Sequence, residues 1–324
     1  MKFGIIGTGW ITHAFLDGVY KNGGELVAIY SRSEEKGLAF GQKYNVTNVY
    51  TDMEAFLNDK NVEVVYIASP NALHYPQTKL ALQHKKHVVS EKPVASVASE
   101  WEDVMAIAKE NNLFLFEAIT TVHLPNYKKV KEIIDRVGRI RMVQCNFSQY
   151  SSKYNALLAG ETPNVFNTKF SGGCLYDINL YNVHFVVGLF GKPNDVHYYA
   201  NIHPNGIDLS GTVILRYDDF VCSLNGAKDS ASANNVQIQG EKGYIYIKSA
   251  SSMCTEVELH IGKEVEVYNF QEDVNALYYE NIDFKAIMES KDYEARDFYL
   301  EESLQTMKVL EAARIDAGIK FGNE

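Results

Sequence analysis

The first residues of the chain are of the types that hold a phosphate group. The run GTGWIT (7–12) follows a short apolar stretch and opens a segment with helical periodicity. A tight strand-to-helix turn needs a residue without Cβ at Gly7, and Gly9 lets backbone amides approach a pyrophosphate at the positive end of the helix. Thr12 stands where a third small residue is usual. This context predicts a dinucleotide site, formed by Gly7, Thr8, Gly9, Trp10 and Ile11.

The end of the second apolar strand distinguishes between two dinucleotides. An acidic residue about 20 positions past the glycines would hold the ribose hydroxyls of NAD, but the strand ends in YSRS (30–33), without a carboxylate. The hydroxyls of Ser31 and Ser33 can donate to a 2′-phosphate, and Arg32 can pair with it. We therefore predict NADP as the cofactor, with Ser31 and Arg32 as contacts. The alternative is NAD, with Glu34 or Glu35 reaching the ribose.

Two further polar segments, SPNALH (69–74) and EKP (91–93), stand at the ends of two later apolar strands. Ligands of an open α/β sheet bind beyond the carboxyl ends of its strands, so both segments are expected to face the cofactor. Asn71 and His74 can also be explained as a turn former and a helix cap. The residues assigned to the cofactor here are Ser69, Asn71, His74, Glu91 and Lys92.

A third group of candidates lies in a helical stretch that follows Gly172 and Gly173. Asp177 and Tyr181 are four positions apart, so an α-helix places both on one face. Asp177 can also be a helix N-cap. Two histidines, His123 and His184, are candidate substrate contacts, although a histidine on a half-apolar helix is more often a core residue.

The first third of the chain alternates apolar runs with amphipathic stretches, which predicts a parallel sheet wrapped by helices. The predicted strands are Phe3 to Ile6, Leu26 to Tyr30, Val62 to Ala68, His87 to Ser90 and Phe114 to Phe116. The predicted helices are Ile11 to Tyr20, Glu34 to Tyr44, Met53 to Leu57, Tyr75 to His84 and Val97 to Asn111.

From about Arg139 the pattern alternates polar with apolar residues, as in antiparallel strands that bury one face. Such runs include Ile140 to Gln149, Thr212 to Tyr217, Val236 to Gln239, Tyr244 to Lys248 and Val257 to Ile261, with helices at Asp177 to Leu189 and Phe298 to Ala317. We predict an α/β protein with a doubly wound Rossmann domain (1–120) and an α+β domain (121–324) with a large, mostly antiparallel open sheet.

Composition narrows the class of protein. The 324 residues are 46% hydrophobic, and 41 acidic against 31 basic side chains leave a formal charge of −10, which disfavours nucleic acid as a partner. The four cysteines are far apart, and we expect no metal site and a reduced, cytoplasmic setting. The apolar start is too short for a signal peptide or a membrane span, so no membrane partner is expected.

Taken in order, these motifs resemble the glucose-fructose oxidoreductase and inositol dehydrogenase family (Gfo/Idh/MocA). The resemblance runs from the glycine turn through PNxxH, EKP and GGCLYD (172–177) to the closing VLEAAR (309–314). The family's sugar and inositol dehydrogenases usually carry histidine where Tyr181 stands. Tyrosine there, with EAITT (117–121), is similar to the branch of glucose-fructose oxidoreductase and the dimeric dihydrodiol dehydrogenases, although VHLP (122–125) departs from that branch.

The resemblance implies a set of roles. Lys92 would lie beside the nicotinamide and the substrate carbonyl, Tyr181 would be the acid, and Asp177 would orient Tyr181 or accept a hydrogen bond from the substrate. An ammonium at that place stabilises negative charge on the substrate oxygen. The implied function is NADP-dependent hydride transfer to or from a small polar carbonyl or alcohol, a sugar, cyclitol or diol. The alternative is a catalytically silent dinucleotide-binding sensor or partner protein.

The resemblance also implies a homodimer formed through the open face of the second sheet. Its strands offer Tyr244, Tyr246, Val257 and Val265 for such an interface, although alternation alone does not say which face each occupies.

Overall fold

A computed structural model describes residues 1–273 and 275–322. Numbered in chain order, the strands are β1 (Lys2–Ile6), β2 (Glu25–Tyr30), β3 (Val49–Tyr50), β4 (Val64–Ile67), β5 (His87–Glu91), β6 (Leu115–Ala118), β7 (Ile140–Ser148), β8 (Asp195–Ile202), β9 (Asp208–Arg216), β10 (Val221–Ala227), β11 (Asn235–Gly240), β12 (Gly243–Ile247), β13 (Val257–Ile261) and β14 (Glu264–Tyr268). The helices are α1 (Trp10–Lys21), α2 (Glu34–Gly41), α3 (Met53–Leu57), α4 (His74–Gln83), α5 (Ala98–Glu110), α6 (Thr120–His123), α7 (Pro125–Ile133), α8 (Tyr154–Leu158), α9 (Leu180–Phe190), α10 (Leu277–Ser290) and α11 (Tyr293–Asp316).

The described residues group into two compact units. The first unit contains residues 1–118 and 275–301, and the second contains 119–273 and 302–322. The sequence predicts a boundary near residue 120 and leaves open whether the final helix folds back onto the first domain. The contacts group α10 and the start of α11 with the first unit. No helix in either described stretch is both long and apolar enough to cross a membrane.

The first unit is built on a fully parallel sheet of six strands in the order β3-β2-β1-β4-β5-β6. Its central strands β1 and β4 are mostly apolar because both faces of the sheet are covered; all of β4, for example, is buried. On one face Phe15 of α1 stacks on Tyr66 of β4, and Phe284 of α10 stacks on Phe116 of β6. Each such fully buried side chain contributes about 1.5–3 kcal/mol of stabilisation. The predicted Rossmann arrangement is confirmed.

The second unit is built on eight strands in the order β14-β13-β12-β11-β7-β10-β9-β8, antiparallel apart from the pair β7 and β10. Alternation sets its two faces, as predicted: Val143 and Cys145 of β7 are buried, whereas Met142 between strands β11 and β10 is exposed. The strands β8, β10 and β14 were not singled out in the sequence. The predicted mostly antiparallel open sheet is confirmed.

The helix predicted from Asp177 begins differently. Residues Leu175–Asn179 form a π-helical turn, and the α-helix α9 starts only at Leu180. The prediction that Asp177 and Tyr181 share a face assumed regular α-helical spacing, which the π turn interrupts. Wider turns of this kind are frequent at functional sites.

Candidate functional site

The glycine turn of the first unit has the shape of a phosphate cradle. Gly7 has a φ of +106°, and a Cβ there would lie 2.4 Å from the carbonyl oxygen of Ala68, so only glycine fits. At Gly9 a Cβ would meet no heavy atom within 4 Å beyond the adjacent residues, and α1 begins there without a side-chain cap or an acidic residue in its first turn. The open space and the first-turn amides fit a pyrophosphate.

The contacts of Thr12 account for a threonine at a position where a smaller residue is usual. Its side chain is fully buried, and its hydroxyl donates a hydrogen bond of 3.0 Å to the carbonyl oxygen of Gly7. The hydroxyl therefore satisfies a carbonyl of the cradle, which a glycine or alanine at position 12 would leave without this partner.

The residues after β2 form a compact turn that contains the exposed cation Arg32. The hydroxyl of Ser31 donates to the carbonyl oxygen of Ser33 over 2.8 Å, and the hydroxyl of Ser33 caps α2 by accepting from the amide of Lys36. The proton of Ser31 is thus used within the turn. Arg32 is exposed and makes no hydrogen bond or ion pair with the residues that the structure describes. Glu34 and Glu35 are exposed as well.

His74 ties together the two segments that follow β4 and β5. Its Nε2 lies 2.6 Å from the carbonyl oxygen of Ser69, and its Nδ1 lies 2.9 Å from that of Pro93. Two carbonyl acceptors favour the doubly protonated ring, but burial, the larger effect, lowers the pKa of His74. Both ring nitrogens of His74 thus face backbone carbonyl groups, and its assignment to the cofactor stays a prediction. Asn71 begins a short 3₁₀ turn that leads into α4.

Charged groups gather where β5 and β6 end. Glu91 is buried and accepts a 2.6 Å hydrogen bond from the hydroxyl of Tyr66. Burial raises the pKa of Glu91, while that hydrogen bond and the charge of Lys92 oppose the rise. Lys92 is half-buried, and its peptide bond to Pro93 is cis.

The sequence patterns did not single out Glu117 as a site residue. It lies on β6 opposite Ser90, the residue before Glu91, is buried, and accepts from the amide of Val94 over 3.3 Å. Its position at the carboxyl end of the next parallel strand was the available signal. The amide of Val94 directly follows the EKP segment, so Glu117 helps to hold the backbone beside Lys92.

The second unit presents two side chains on its π turn and α9. Between residues 171 and 187, Asp177 and Tyr181 alone keep partial exposure, and every other residue of that stretch is buried. The ring of Tyr181 lies 5.9 Å from that of Phe147 on β7, measured between centroids. Asp177 and Tyr181 are therefore the two partly exposed residues of an otherwise buried segment.

Asp177 forms an ion pair with Lys228, which immediately follows β10. The lysine side chain is 8% exposed and the aspartate side chain 29% exposed. Asp177 thus has a buried cation as its partner, and it is not the cap of a regular α-helix. No signal in the sequence indicated Lys228, because 51 positions separate the two residues.

A network of amides fixes the backbone beneath these side chains. Asn179 donates to the carbonyl oxygen of Leu224, and Asn182 donates to the side chain of Asn179 and to the carbonyl oxygen of Asn225. Ser251 donates to Asn182 over 2.7 Å. These buried, satisfied groups hold the start of α9 on β10.

The two candidate histidines differ from Asp177 and Tyr181. His123 on α6 and His184 on α9 are both buried. Neither presents its ring to solvent, so a substrate contact by either one stays a prediction.

The chain was compared with known proteins. Residues 1–119 match the family model described as "Oxidoreductase family, NAD-binding Rossmann fold", and residues 127–246 match the "GFO/IDH/MocA C-terminal domain". The chain is 37% identical to scyllo-inositol 2-dehydrogenase (NADP(+)) IolU of Bacillus subtilis and 36% identical to the uncharacterized oxidoreductase YgjR of Escherichia coli, in both cases over 99% of this chain and 98% of the relative. A solved structure of levoglucosan dehydrogenase with NADH and levoglucosan is similar in fold, with a TM-score of 0.86 at 16% identity over 98% of this chain and 97% of that one.

Proposed function

Because this chain belongs to the Gfo/Idh/MocA family of NAD(P)-dependent oxidoreductases, we propose that it transfers a hydride between NADP and a small polar carbonyl or alcohol, a sugar, cyclitol or diol. The observation that carries the proposal is the shared exposure of Asp177 and Tyr181 on an otherwise buried segment. An acid and a hydrogen-bond acceptor that are both partly exposed suit a hydroxylated substrate.

The proposed roles of the residues follow from charge and proton balance. When bound, the nicotinamide ring exchanges a hydride with the reacting carbon of the substrate. The oxygen on that carbon must gain or lose a proton, and we assign this transfer to the phenol of Tyr181. Lys92 supplies the positive charge that stabilises a developing negative charge on the oxygen. Asp177 accepts a hydrogen bond from the substrate.

The preference for NADP rests on Arg32. Its guanidinium is exposed directly after β2, where a 2′-phosphate is recognised in Rossmann domains, and β2 ends without a carboxylate. The name of the Bacillus subtilis relative includes NADP(+), which supports the same choice. The hydroxyl of Ser31 donates to the carbonyl oxygen of Ser33 and its amide to that of Tyr50, so the hydroxyl would have to leave Ser33 to donate to a 2′-phosphate.

The protein is further proposed to form a homodimer through the open face of the second sheet. Cross-strand pairing aligns one row of side chains on that face, namely Val265, His260, Tyr244, Gln239, Met142 and Val221. Apolar members of the row are exposed, as are those of a typical interface before association. Val257 does not belong to it, because its side chain is buried on the opposite face. Light scattering of wild type and Tyr244→Lys tests this, with the expectation of a dimer that the substitution dissociates.

One experiment tests the function. The purified protein is titrated calorimetrically with NADPH and with NADH, and NADPH oxidation is then followed with a panel of keto-sugars, ketocyclitols and diketones. We expect tighter binding of NADPH and turnover of at least one polyhydroxylated carbonyl. Tight binding without turnover across the panel would favour the silent sensor, and binding of neither nucleotide would refute both.

A further inference from the structure

Lys228 is a buried lysine that forms an ion pair with the partly exposed Asp177. We propose that Lys228 is a positioning residue for substrate specificity: it fixes the carboxylate of Asp177 so that the enzyme selects substrates with a hydroxyl next to the reacting carbon. This inference rests on the proposed function and narrows its substrate class to compounds with two adjacent oxygens. Lys228 itself does not touch the substrate.

The backbone of Lys228 is held on both sides. Its amide donates to the carbonyl oxygen of Leu209 over 2.8 Å, and its carbonyl oxygen accepts from the amide of Ser151 over 2.9 Å. The side chain of Lys228 therefore extends from a fixed backbone position between β9 and the segment after β7. A side chain anchored in this way offers its ammonium at a defined position.

The other carboxylates around Lys228 already have partners. Asp208 is buried and accepts from the hydroxyl of Tyr198 and the amide of Leu175, and Asp229 accepts from the hydroxyl of Ser210 over 3.0 Å. The ion pair of Lys228 is made with Asp177 instead. Asp177 is thereby held from its buried side, and 29% of its side chain stays exposed.

Of the two ion-pair partners, the more exposed one can contact a substrate. The ammonium end of the pair is almost fully enclosed, whereas the carboxylate is 29% exposed on the same segment as Tyr181. A carboxylate only accepts hydrogen bonds, so its natural partner is a hydroxyl group rather than a carbonyl. If Tyr181 serves the reacting oxygen, Asp177 serves a second oxygen that carries a proton. A bound analogue that lacks this hydroxyl would cover the carboxylate without offering it a donor, which weakens its binding.

The test compares 2-hydroxycyclohexanone with cyclohexanone as substrates for reduction by NADPH. The variants are Lys228→Met, which removes the cation at similar volume, Lys228→Arg, which keeps a cation, and the control Lys248→Met, which removes a lysine from an exposed ion pair with Glu258 on the same sheet. Thermal unfolding and NADPH affinity are measured for each variant. Substituting Asp177 is avoided, because it would leave Lys228 buried without its partner.

We expect the wild type to prefer the hydroxyketone by at least ~10-fold in kcat/KM. Lys228→Met should lose this preference through a higher KM for the hydroxyketone alone, with NADPH affinity unchanged, while Lys228→Arg restores part of it and Lys248→Met retains it. A folded Lys228→Met that keeps the preference, or a wild type without one, would overturn the inference.

Failure of the proposed function can be distinguished from failure of the inference about Lys228. If the wild type binds NADPH but reduces neither ketone, the same preference is measured as binding of inositol against cyclohexanol by calorimetry in the four proteins. Loss of inositol binding in Lys228→Met alone would support the role of Lys228 without catalysis. No difference between the proteins would refute it.

Discussion

Gly7 and Ala68 approach each other so closely that a Cβ on Gly7 would lie 2.4 Å from the carbonyl oxygen of Ala68. The contact joins the turn after β1 to the end of β4, the two central strands of the parallel sheet. Gly9, two residues later, faces open space instead. The two glycines are therefore required for different reasons, one for the fold and one for access.

Gly7→Ala and Gly9→Ala should separate these reasons. Gly7→Ala clashes with backbone at a positive φ and should lower the melting temperature or prevent folding. Gly9→Ala, at a φ of −79°, should melt like the wild type but bind NADPH about 10- to 100-fold more weakly, because a methyl group holds the pyrophosphate away from the amides. Calorimetric titration and thermal unfolding measure both effects. A Gly9→Ala protein with normal NADPH affinity would contradict the assignment of the cradle.

Arg32→Ala should weaken NADPH and leave NADH unchanged. Loss of one charge-assisted contact to a phosphate corresponds to about 10- to 100-fold in the dissociation constant. Lys36→Ala is the control, since Lys36 is an exposed cation on the adjoining helix α2. An equal effect of the two substitutions would point to general attraction of the phosphate. No effect of either would favour NAD, with Glu34 or Glu35 holding the ribose.

Tyr181→Phe should keep the fold and NADPH affinity and reduce kcat by about 10²- to 10⁴-fold, because the proton donor is lost. Tyr244→Phe, on the exposed face of the second sheet, removes a hydroxyl of the same kind and should leave kcat unchanged. Single-turnover kinetics with a substrate from the panel provide the comparison. Unchanged kcat in Tyr181→Phe would remove tyrosine from the proposed chemistry.

Lys92→Met should, like Tyr181→Phe, lower kcat without changing NADPH affinity. The reason differs, because this substitution removes the charge that stabilises the substrate oxygen. We expect normal NADPH binding and a fall in kcat of roughly 10²-fold or more. Lys79→Met, a lysine in a largely exposed ion pair with Asp103, is the matched control in the first unit. If Lys92→Met lost only NADPH affinity, the residue would belong to the cofactor site alone.

Glu280 should make the folded protein less stable as the pH rises. Its side chain is fully buried on α10, and within the described residues neither carboxylate oxygen has a hydrogen-bond partner. Burial, reinforced by the charges of Glu91 and Asp283, raises the pKa of Glu280 well above its usual range. The unfolded chain releases this proton near pH 4.3. The protonated form therefore contributes its full stabilisation below that pH. The free energy of unfolding then falls as the pH rises towards the pKa of Glu280 in the folded protein, by at most about 1.4 kcal/mol per pH unit.

Glu280→Gln removes this titration with little change of shape. The melting temperature of the variant should fall less steeply between about pH 5 and 8 than that of the wild type. Glu289→Gln, an exposed position on the same helix, should behave like the wild type. Parallel curves for wild type and Glu280→Gln would mean that Glu280 is ionised in the folded protein.

Local patterns in the sequence were sufficient for the framework of both units. The apolar runs of β1, β2, β4 and β5 and the alternation of β7 and β13 reflect burial on two faces or one, a property of each strand by itself. The turn at Gly7 and the strand-end position of Lys92 follow from the same rule, since ligands of a parallel sheet bind at its carboxyl edge. The two-residue strand β3 was too short to show a pattern.

Tertiary structure decided how individual groups are used. Lys228 pairs with Asp177 across 51 positions, the Thr12 hydroxyl serves a carbonyl of the glycine turn, and residues 275–301 group with the first unit. The π turn before α9 also depends on its surroundings, with Leu175 held by buried Asp208. None of these is encoded in the period of a single helix or strand, because each depends on contacts between segments distant in the chain or on packing that overrides the local preference. The amino-acid sequence by itself therefore determined the fold class and the candidate residues, and long-range packing decided their partners.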